Sequence, residues 1–202
     1  SVKSRGLGDV YKRQEEYGGL PAWAVAKPQY FFKDIFSIAL PKSPVIDIGS
    51  GTGDLSMYVA SLGCETLGID FAPRAVELAK LRAENTYPNL TFKQHDAFDI
   101  SSLGITFNTV LDCCFFHLLD DTARDEYASS LAEILNPGGK LYMLNLAIKL
   151  PIPNNPRSIS TKDISDTFRE GWTILETGST TVSVTQPPYE LPGTYAIIER
   201  SQ

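Results

Sequence analysis

The sequence is short of several things, and each shortage excludes something. Cysteine occurs three times in 202 residues, at Cys64, Cys113 and Cys114. An odd number with two of them adjacent makes no disulfide framework, and points to a reducing compartment. Histidine occurs twice, at His95 and His117. No regular spacing joins either to the cysteines, so no metal site is expected. No apolar run approaches the roughly 18 residues that cross a bilayer. The opening SVKSRGLGDVYKRQ lacks the apolar centre of a signal peptide. A cytoplasmic location with no membrane partner is the expectation. Basic residues are scarce too, 18 against 24 acidic ones, for a net charge of −6.

The string SRGLGDVYKRQ, residues 4–14, resembles the translation of a transposase-type sequencing adaptor. Residues 1–14 are therefore set aside as an adaptor-derived or disordered tail. The remainder holds 14 basic and 23 acidic residues, a net charge of −9. Such a domain is a poor partner for nucleic acid or an anionic membrane and suits a cationic or neutral small ligand. Residues 15–202 read as one domain. A lead-in over 15–40 carries Trp23, Tyr30, Phe31 and Phe32 and is expected to be helical, and the core follows over 41–202.

From residue 45 onward, strand-like and helix-like segments alternate. VIDIG (45–49), CETLGID (64–70), LTFKQHD (90–96), FNTVLDCCF (107–115) and KLYMLNLAI (140–148) read as strands. DLSMYVASLG, PRAVELAKLRAENT and DTARDEYASSLAEIL read as helices, with Gly63 and NPGG (136–139) as stops and Asp120 or Asp121 as a cap. Ser160 with Asp163 opens a further helix over ISDTFRE, stopped by Gly171. GWTILETGSTTVSV and GTYAIIERS close the chain as strands, joined hairpin-like by QPPYELPG. Apolar strands alternating with helices predict an α/β fold, a doubly wound sheet covered on both faces.

VIDIGSGTGD places glycines at alternate positions, Gly49, Gly51 and Gly53, with Asp47 before them. The dinucleotide fingerprint G-x-G-x-x-G would put its third glycine at residue 54, which is Asp54. A carboxylate there repels a pyrophosphate at the helix N-terminus. Asp47 and Asp54 favour instead a ligand with an ammonium and a sulfonium. Asp70, ending the second strand, is placed to accept ribose hydroxyls. Asp96, ending the third, is placed to accept from an adenine amino group, with the Ala97 amide facing a ring nitrogen.

DIGSGTG, the acids of GIDFAP and QHDAFD, VLDCCFFHLLDD and LNPGGKLYMLN together resemble the successive motifs of class I S-adenosylmethionine-dependent methyltransferases. The resemblance runs over about residues 20–200. It implies a Rossmann-like, seven-stranded, mostly parallel sheet with its last strand antiparallel. It implies that Gly49, Ser50, Gly51 and Gly53 wrap the methionine part of the cofactor. Asp70 would hold the ribose with Phe71 beside the adenine, Asp96 and Ala97 would read the adenine, and the backbone of Cys113, Cys114 and Phe115 would face the ammonium or the sulfonium. AWAVAKPQ (22–29), LDCCFFHLLDD and NPRSIS…DTFREGW are similar to the thiopurine- and thiol-methyltransferase branch. The function expected is methyl transfer from S-adenosylmethionine to a small-molecule acceptor, a thiol or similar, yielding S-adenosylhomocysteine without a metal. The alternatives are a non-catalytic module that binds the same cofactor and an NAD-dependent oxidoreductase.

Methyl transfer is an in-line displacement, so alignment and exclusion of water matter most. A thiolate needs little base catalysis, whereas a hydroxyl or protonated amine needs a base. His117, past the fourth strand, is the histidine placed as base or for substrate positioning; otherwise it is a structural residue of the FHLL turn. Arg157, in the proline-rich loop after the fifth strand, is a candidate grip for an anionic acceptor. Trp23 and Tyr30 are candidates for a lid, or pack the lead-in. A monomer or weak homodimer is expected.

Overall fold

A computed structural model describes residues 23–150 and 157–201. The tail 1–14, residues 15–22 of the lead-in and most of the proline-rich loop lie outside the described residues. The elements are α1 (Tyr30–Ile38), β1 (Val45–Ile48), α2 (Asp54–Ser61), β2 (Thr66–Asp70), α3 (Pro73–Ala83), β3 (Leu90–Gln94), β4 (Phe107–Cys113), α4 (Asp121–Ile134), β5 (Leu135–Leu146), α5 (Thr161–Thr167), β6 (Trp172–Ser183) and β7 (Glu190–Arg200). The seven strands form one sheet in the order β3-β2-β1-β4-β5-β7-β6. β7 runs antiparallel to both β5 and β6. The other pairs are parallel.

The order reverses between β1 and β4. The chain lays β2 and β3 to one side of β1 and β4 and β5 to the other. A crevice opens at the carboxyl ends of these two central strands, where open α/β sheets bind ligands. Both sheet faces are covered. On one, Ile46, Val110, Leu141 and Met143 pack with Tyr127 and Leu131 of α4 and Ile164 of α5. On the other, Val45, Leu111 and Leu144 pack with Phe32 and Phe36 of α1 and Val59 of α2. Burying each such side chain contributes about 1.5–3 kcal/mol against exposing it.

The caps follow the sequence. Asp120 accepts from the Ala123 amide at 2.8 Å and opens α4. Ser160 and Asp163 form a reciprocal capping box that opens α5. Gly63 takes a left-handed φ of 90° just past α2.

Several boundaries differ from the sequence reading; β3, β4 and β5 stop two residues early, at Gln94, Cys113 and Leu146, and α3 three early, at Ala83. The described lead-in is helical only from Tyr30, because Gln29 is extended and its side chain is committed to Ser183. NPGG does not separate α4 from a strand starting at 140: Leu135 already pairs with Phe107, and residues 136–139 bulge out before Lys140 pairs with Thr109. Gly138, with φ 75°, makes that bulge possible. α5 begins at Thr161 and ends at Thr167, earlier than ISDTFRE and Gly171 imply, since the capping box fixes its start. β6–β7 pairing already begins at Ser183–Glu190, so half of QPPYELPG is strand. β3 is an edge strand in which only Phe92 is buried.

Candidate functional site

Three successive left-handed glycines turn the chain from β1 into α2, with φ of 68° at Gly49, 54° at Gly51 and 85° at Gly53. A β-carbon on Gly49 would stand 3.0 Å from Cδ2 of Phe115. One on Gly53 would stand 2.6 Å from Cζ of Phe92. The Ser50 amide donates to Ile69 O at 2.9 Å, which moors the turn to the end of β2.

Asp70 braces the same turn. Its Oδ2 accepts from the Gly51 amide at 2.9 Å and its Oδ1 from the Ala72 amide at 2.8 Å. Burial raises its carboxyl above the usual range, and the two amides oppose that. Each oxygen retains a lone pair for the expected ribose contact. Phe71 follows, with its carbonyl held by the Gln94 amide group at 3.1 Å. Asp96 Oδ1 accepts from the Phe98 amide at 3.0 Å, and Ala97 is buried. Thus the ends of β1, β2 and β3 bring Gly49–Gly53, Asp70–Phe71 and Asp96–Ala97 together along one rim.

Asp47 lies beneath the glycines, buried, with Oδ2 taking the Ser56 hydroxyl. Burial pushes its carboxyl up to about 7, with Asp112 and Asp70 adding repulsion. Its Oδ1 and the Ser50 hydroxyl are buried without a hydrogen-bond partner. Buried polar atoms are normally paired. An orphan carboxylate oxygen and an orphan hydroxyl beside a glycine cradle fit the ammonium and carboxylate of a methionine moiety. Asp54 contributes less than the sequence suggested: Arg82 ion-pairs with it and also holds Thr52 O at 2.7 Å. Among the described residues, the carboxyls left to face the cradle without a cationic partner are therefore Asp47 and Asp70.

The sequence reading missed Asp112, whose sign was the one charged residue in a strand that is otherwise uncharged, FNTVLDC. It is wholly buried at the end of β4. Oδ1 accepts the amides of Phe115 at 2.9 Å and Phe116 at 3.2 Å, and Oδ2 takes the Tyr127 hydroxyl at 2.9 Å. Burial pushes its carboxyl up to about 6 against those donors. Asp112 thereby shapes the turn of Cys113, Cys114 and Phe115, with Cys114 left-handed at φ 67°. The Phe115 ring is held between Gly49 and Tyr127, 5.2 Å from the Tyr127 ring. The neighbouring Cys114 thiol and burial push the Cys113 thiol well up, so it acts as a small hydrophobe.

His117 is buried in the short turn after β4, and its Nδ1 accepts from the Leu146 amide at 3.1 Å. Burial, then the nearby Arg124 charge, lowers its pKa to about 3. The ring is neutral and carries its proton on Nε2, since Nδ1 is an acceptor. Arg157 donates its amide to His117 O at 2.7 Å and its guanidinium to Asp121 at 2.7 Å. Trp23 is half-exposed. Tyr30 and Lys27 line a cleft of about 260 Å³ with Ser183, Thr185, Tyr189 and Glu190, at the β6–β7 end of the sheet rather than over the glycines. Gln29 fixes this lead-in, pairing both amide atoms with the backbone of Ser183 at 3.0 and 2.7 Å. Among the described residues no group of three or more His, Cys, Asp or Glu is placed to hold a metal, and no helix is long and apolar enough to cross a membrane.

Residues 45–139 match the methyltransferase domain family. A 2-heptyl-1-hydroxyquinolin-4(1H)-one methyltransferase of Mycobacteroides abscessus is 26% identical over 163 residues, 79% of this chain and 72% of that protein. A ubiquinone biosynthesis O-methyltransferase of Cereibacter sphaeroides is 34% identical over 117 residues, 57% of this chain, and the chain spans 44% of its length. A solved structure concerned with the conversion of a disulfide bond into a thioacetal group during echinomycin biosynthesis superposes over 98% of this chain and 93% of its own. Its TM-score is 0.86 at 23% identity, a likeness of fold.

Proposed function

We propose that this chain is a class I S-adenosylmethionine-dependent methyltransferase, supported by the matched domain and the methyltransferase relatives, and that its acceptor is a small molecule whose nucleophile ionises by itself near neutral pH. A thiol or a comparably acidic hydroxyl meets that description. The carrying observation is the Leu146 amide on His117 Nδ1. A histidine with Nδ1 engaged and Nε2 protonated has no lone pair free to take a proton. Its pKa of about 3 also keeps it from acting as an acid. An acceptor that arrives as an anion needs neither.

S-adenosylmethionine supplies a methyl carbon already activated by its sulfonium. The protein binds and aligns. Asp47 Oδ1 and Ser50 Oγ would take the methionine ammonium and carboxylate, Asp70 the ribose, and Asp96 with Ala97 the adenine. Asp112, through the Phe115 and Phe116 amides, holds the backbone of Cys113, Cys114 and Phe115 against the reacting end. His117 positions the β4 turn beside β5, and through its carbonyl the chain at Arg157. Trp23 and Tyr30 belong to the lead-in, whose contacts with β6 support a cover at the acceptor side. The resemblance of residues 22–29 and of the turn after β4 to thiopurine- and thiol-methyltransferases favours a thiol. The hydroxylated heteroaromatic in the Mycobacteroides relative's name favours an acidic hydroxyl. Three free thiols support a reducing setting, and the same proposal takes the chain as one cytoplasmic domain acting as a monomer or weak homodimer without nucleic acid.

A panel of thiols and hydroxy-heteroaromatics of graded acidity tests this. The pH at which kcat/KM reaches its plateau should follow the acceptor's own pKa. A plateau at one fixed pH for every acceptor would show an enzyme base and overturn the proposal.

A further inference from the structure

Asn145 lies near the carboxyl end of β5, fully buried, and neither atom of its carboxamide has a hydrogen-bond partner. Leaving a buried polar group unpaired costs about 1–3 kcal/mol, so two such atoms on one side chain need a reason. Its position supplies one. Side chains alternate along β5, so Asn145 shares the face of Leu141 and Met143, the face covered by α4 and α5. Met143 pairs with Asp112, and Leu144 with Cys113 at the end of β4. Asn145 therefore stands one step beyond the last paired residues of β4, beside the turn of Cys113, Cys114 and Phe115.

Its neighbours are already committed. The next amide, that of Leu146, is bound to His117 Nδ1. The residue opposite on β7, Thr194, donates its hydroxyl to Ile159 O at 2.7 Å. Ile159 in turn donates its amide to Leu146 O at 2.8 Å. The frame around Asn145 is hydrogen-bonded on three sides while the carboxamide is not. The same helical layer holds a second buried orphan, Arg124 Nε.

Resting on the methyltransferase reading above, we propose that Asn145 determines acceptor specificity. Its carboxamide offers a donating NH2 group and an accepting carbonyl oxygen, so it selects acceptors that carry a hydrogen-bonding carbonyl or amide next to the methylated atom. Recognition of this kind discriminates strongly, because the analogue lacking the polar group leaves the carboxamide unpaired.

The test compares 2-mercaptobenzamide with thiophenol as acceptors, in wild type and in Asn145→Leu, with S-adenosylhomocysteine affinity and Tm measured alongside. Wild type should favour 2-mercaptobenzamide in kcat/KM by on the order of tenfold or more. Asn145→Leu should erase that preference, bind S-adenosylhomocysteine as wild type does, and keep or raise its Tm, since it removes an unpaired polar group. If Leu overfills the site, Asn145→Val makes the same comparison. An unchanged preference overturns the inference, as does a Tm several degrees lower, which marks a structural asparagine. A chain that binds S-adenosylhomocysteine but methylates neither probe defeats the acceptor class proposed above. In that case the Tm comparison alone decides Asn145, a lower value overturning its role and an equal or higher one supporting it.

Discussion

Tyr127, on α4, donates its hydroxyl to Asp112 at the end of β4 across 2.9 Å, and both side chains are wholly buried. The bond joins the helical layer to the turn of Cys113, Cys114 and Phe115, which we propose faces the cofactor. Tyr127→Phe should leave Asp112 Oδ2 without its donor and cost about 1–2 kcal/mol in stability. S-adenosylhomocysteine should bind severalfold more weakly, because the Phe115 and Phe116 amides share the same carboxylate. Urea unfolding and calorimetry measure the two effects. Unfolding and affinity both equal to wild type would show that the bond does not hold the turn.

The glycine turn allows a controlled comparison. Gly49 and Gly63 both adopt left-handed φ, 68° and 90°. A β-carbon at Gly63 meets nothing within 4 Å, whereas one at Gly49 meets the Phe115 ring at 3.0 Å. Alanine at either position should cost about 1 kcal/mol or more in backbone strain. Only Gly49→Ala should also weaken S-adenosylhomocysteine binding, by on the order of tenfold, since it displaces Phe115. Similar affinities for the two variants would sever Phe115 from the cofactor site.

How much of this was legible in the sequence differs by residue. The strand end at Asp70, the glycines and the caps at Asp120 and Ser160 are local signals, and local signals survive folding, whereas β3 stops at Gln94, two residues before Asp96. Asp54 in the third glycine place separated this turn from a dinucleotide turn, and the matched family is a methyltransferase one. Asp112 was hidden because its donors, Phe115, Phe116 and Tyr127, are assembled by the turn and by α4 packing. Arg82 on Asp54, His117 on Leu146 and the lone carboxamide of Asn145 are likewise contacts between distant segments, which no spacing rule reports. The bulge at 136–139 escaped for a similar reason, since Leu135 looks like a helix end until Phe107 pairs with it.

Arg157 reaches Asp121 at 2.7 Å, but both side chains are largely exposed, 47% and 84%. Solvent screens such a pair, so Arg157→Ala should change stability by less than about 1 kcal/mol. If the guanidinium serves only Asp121, the variant should alter KM equally for neutral and carboxylated acceptors. A selective rise in KM for the carboxylated ones would instead assign Arg157 to the acceptor.

Asp47 and Asp112 give the stability an unusual pH signature. Burial pushes their carboxyls to about 7 and about 6, above the ordinary 3.8. Between those limits the folded chain holds protons that the unfolded chain has released, so each group's contribution is fully present below pH 4. It is lost as pH rises through the folded value. His117 acts oppositely. Its folded pKa of about 3 lies below 6.5, so its contribution is present above pH 6.5 and is lost as pH falls toward 3. Asp47→Asn should remove one of the acid-side terms. The stability difference between Asp47→Asn and wild type should therefore change steadily between about pH 4 and pH 7, by up to about 1.4 kcal/mol per pH unit, and then level off. The variant should gain on wild type as pH rises. Denaturant unfolding at half-unit steps from pH 4 to 8 measures this. Parallel curves for the two proteins would mean that Asp47 titrates alike in the folded and unfolded chains, and that burial does not raise its carboxyl.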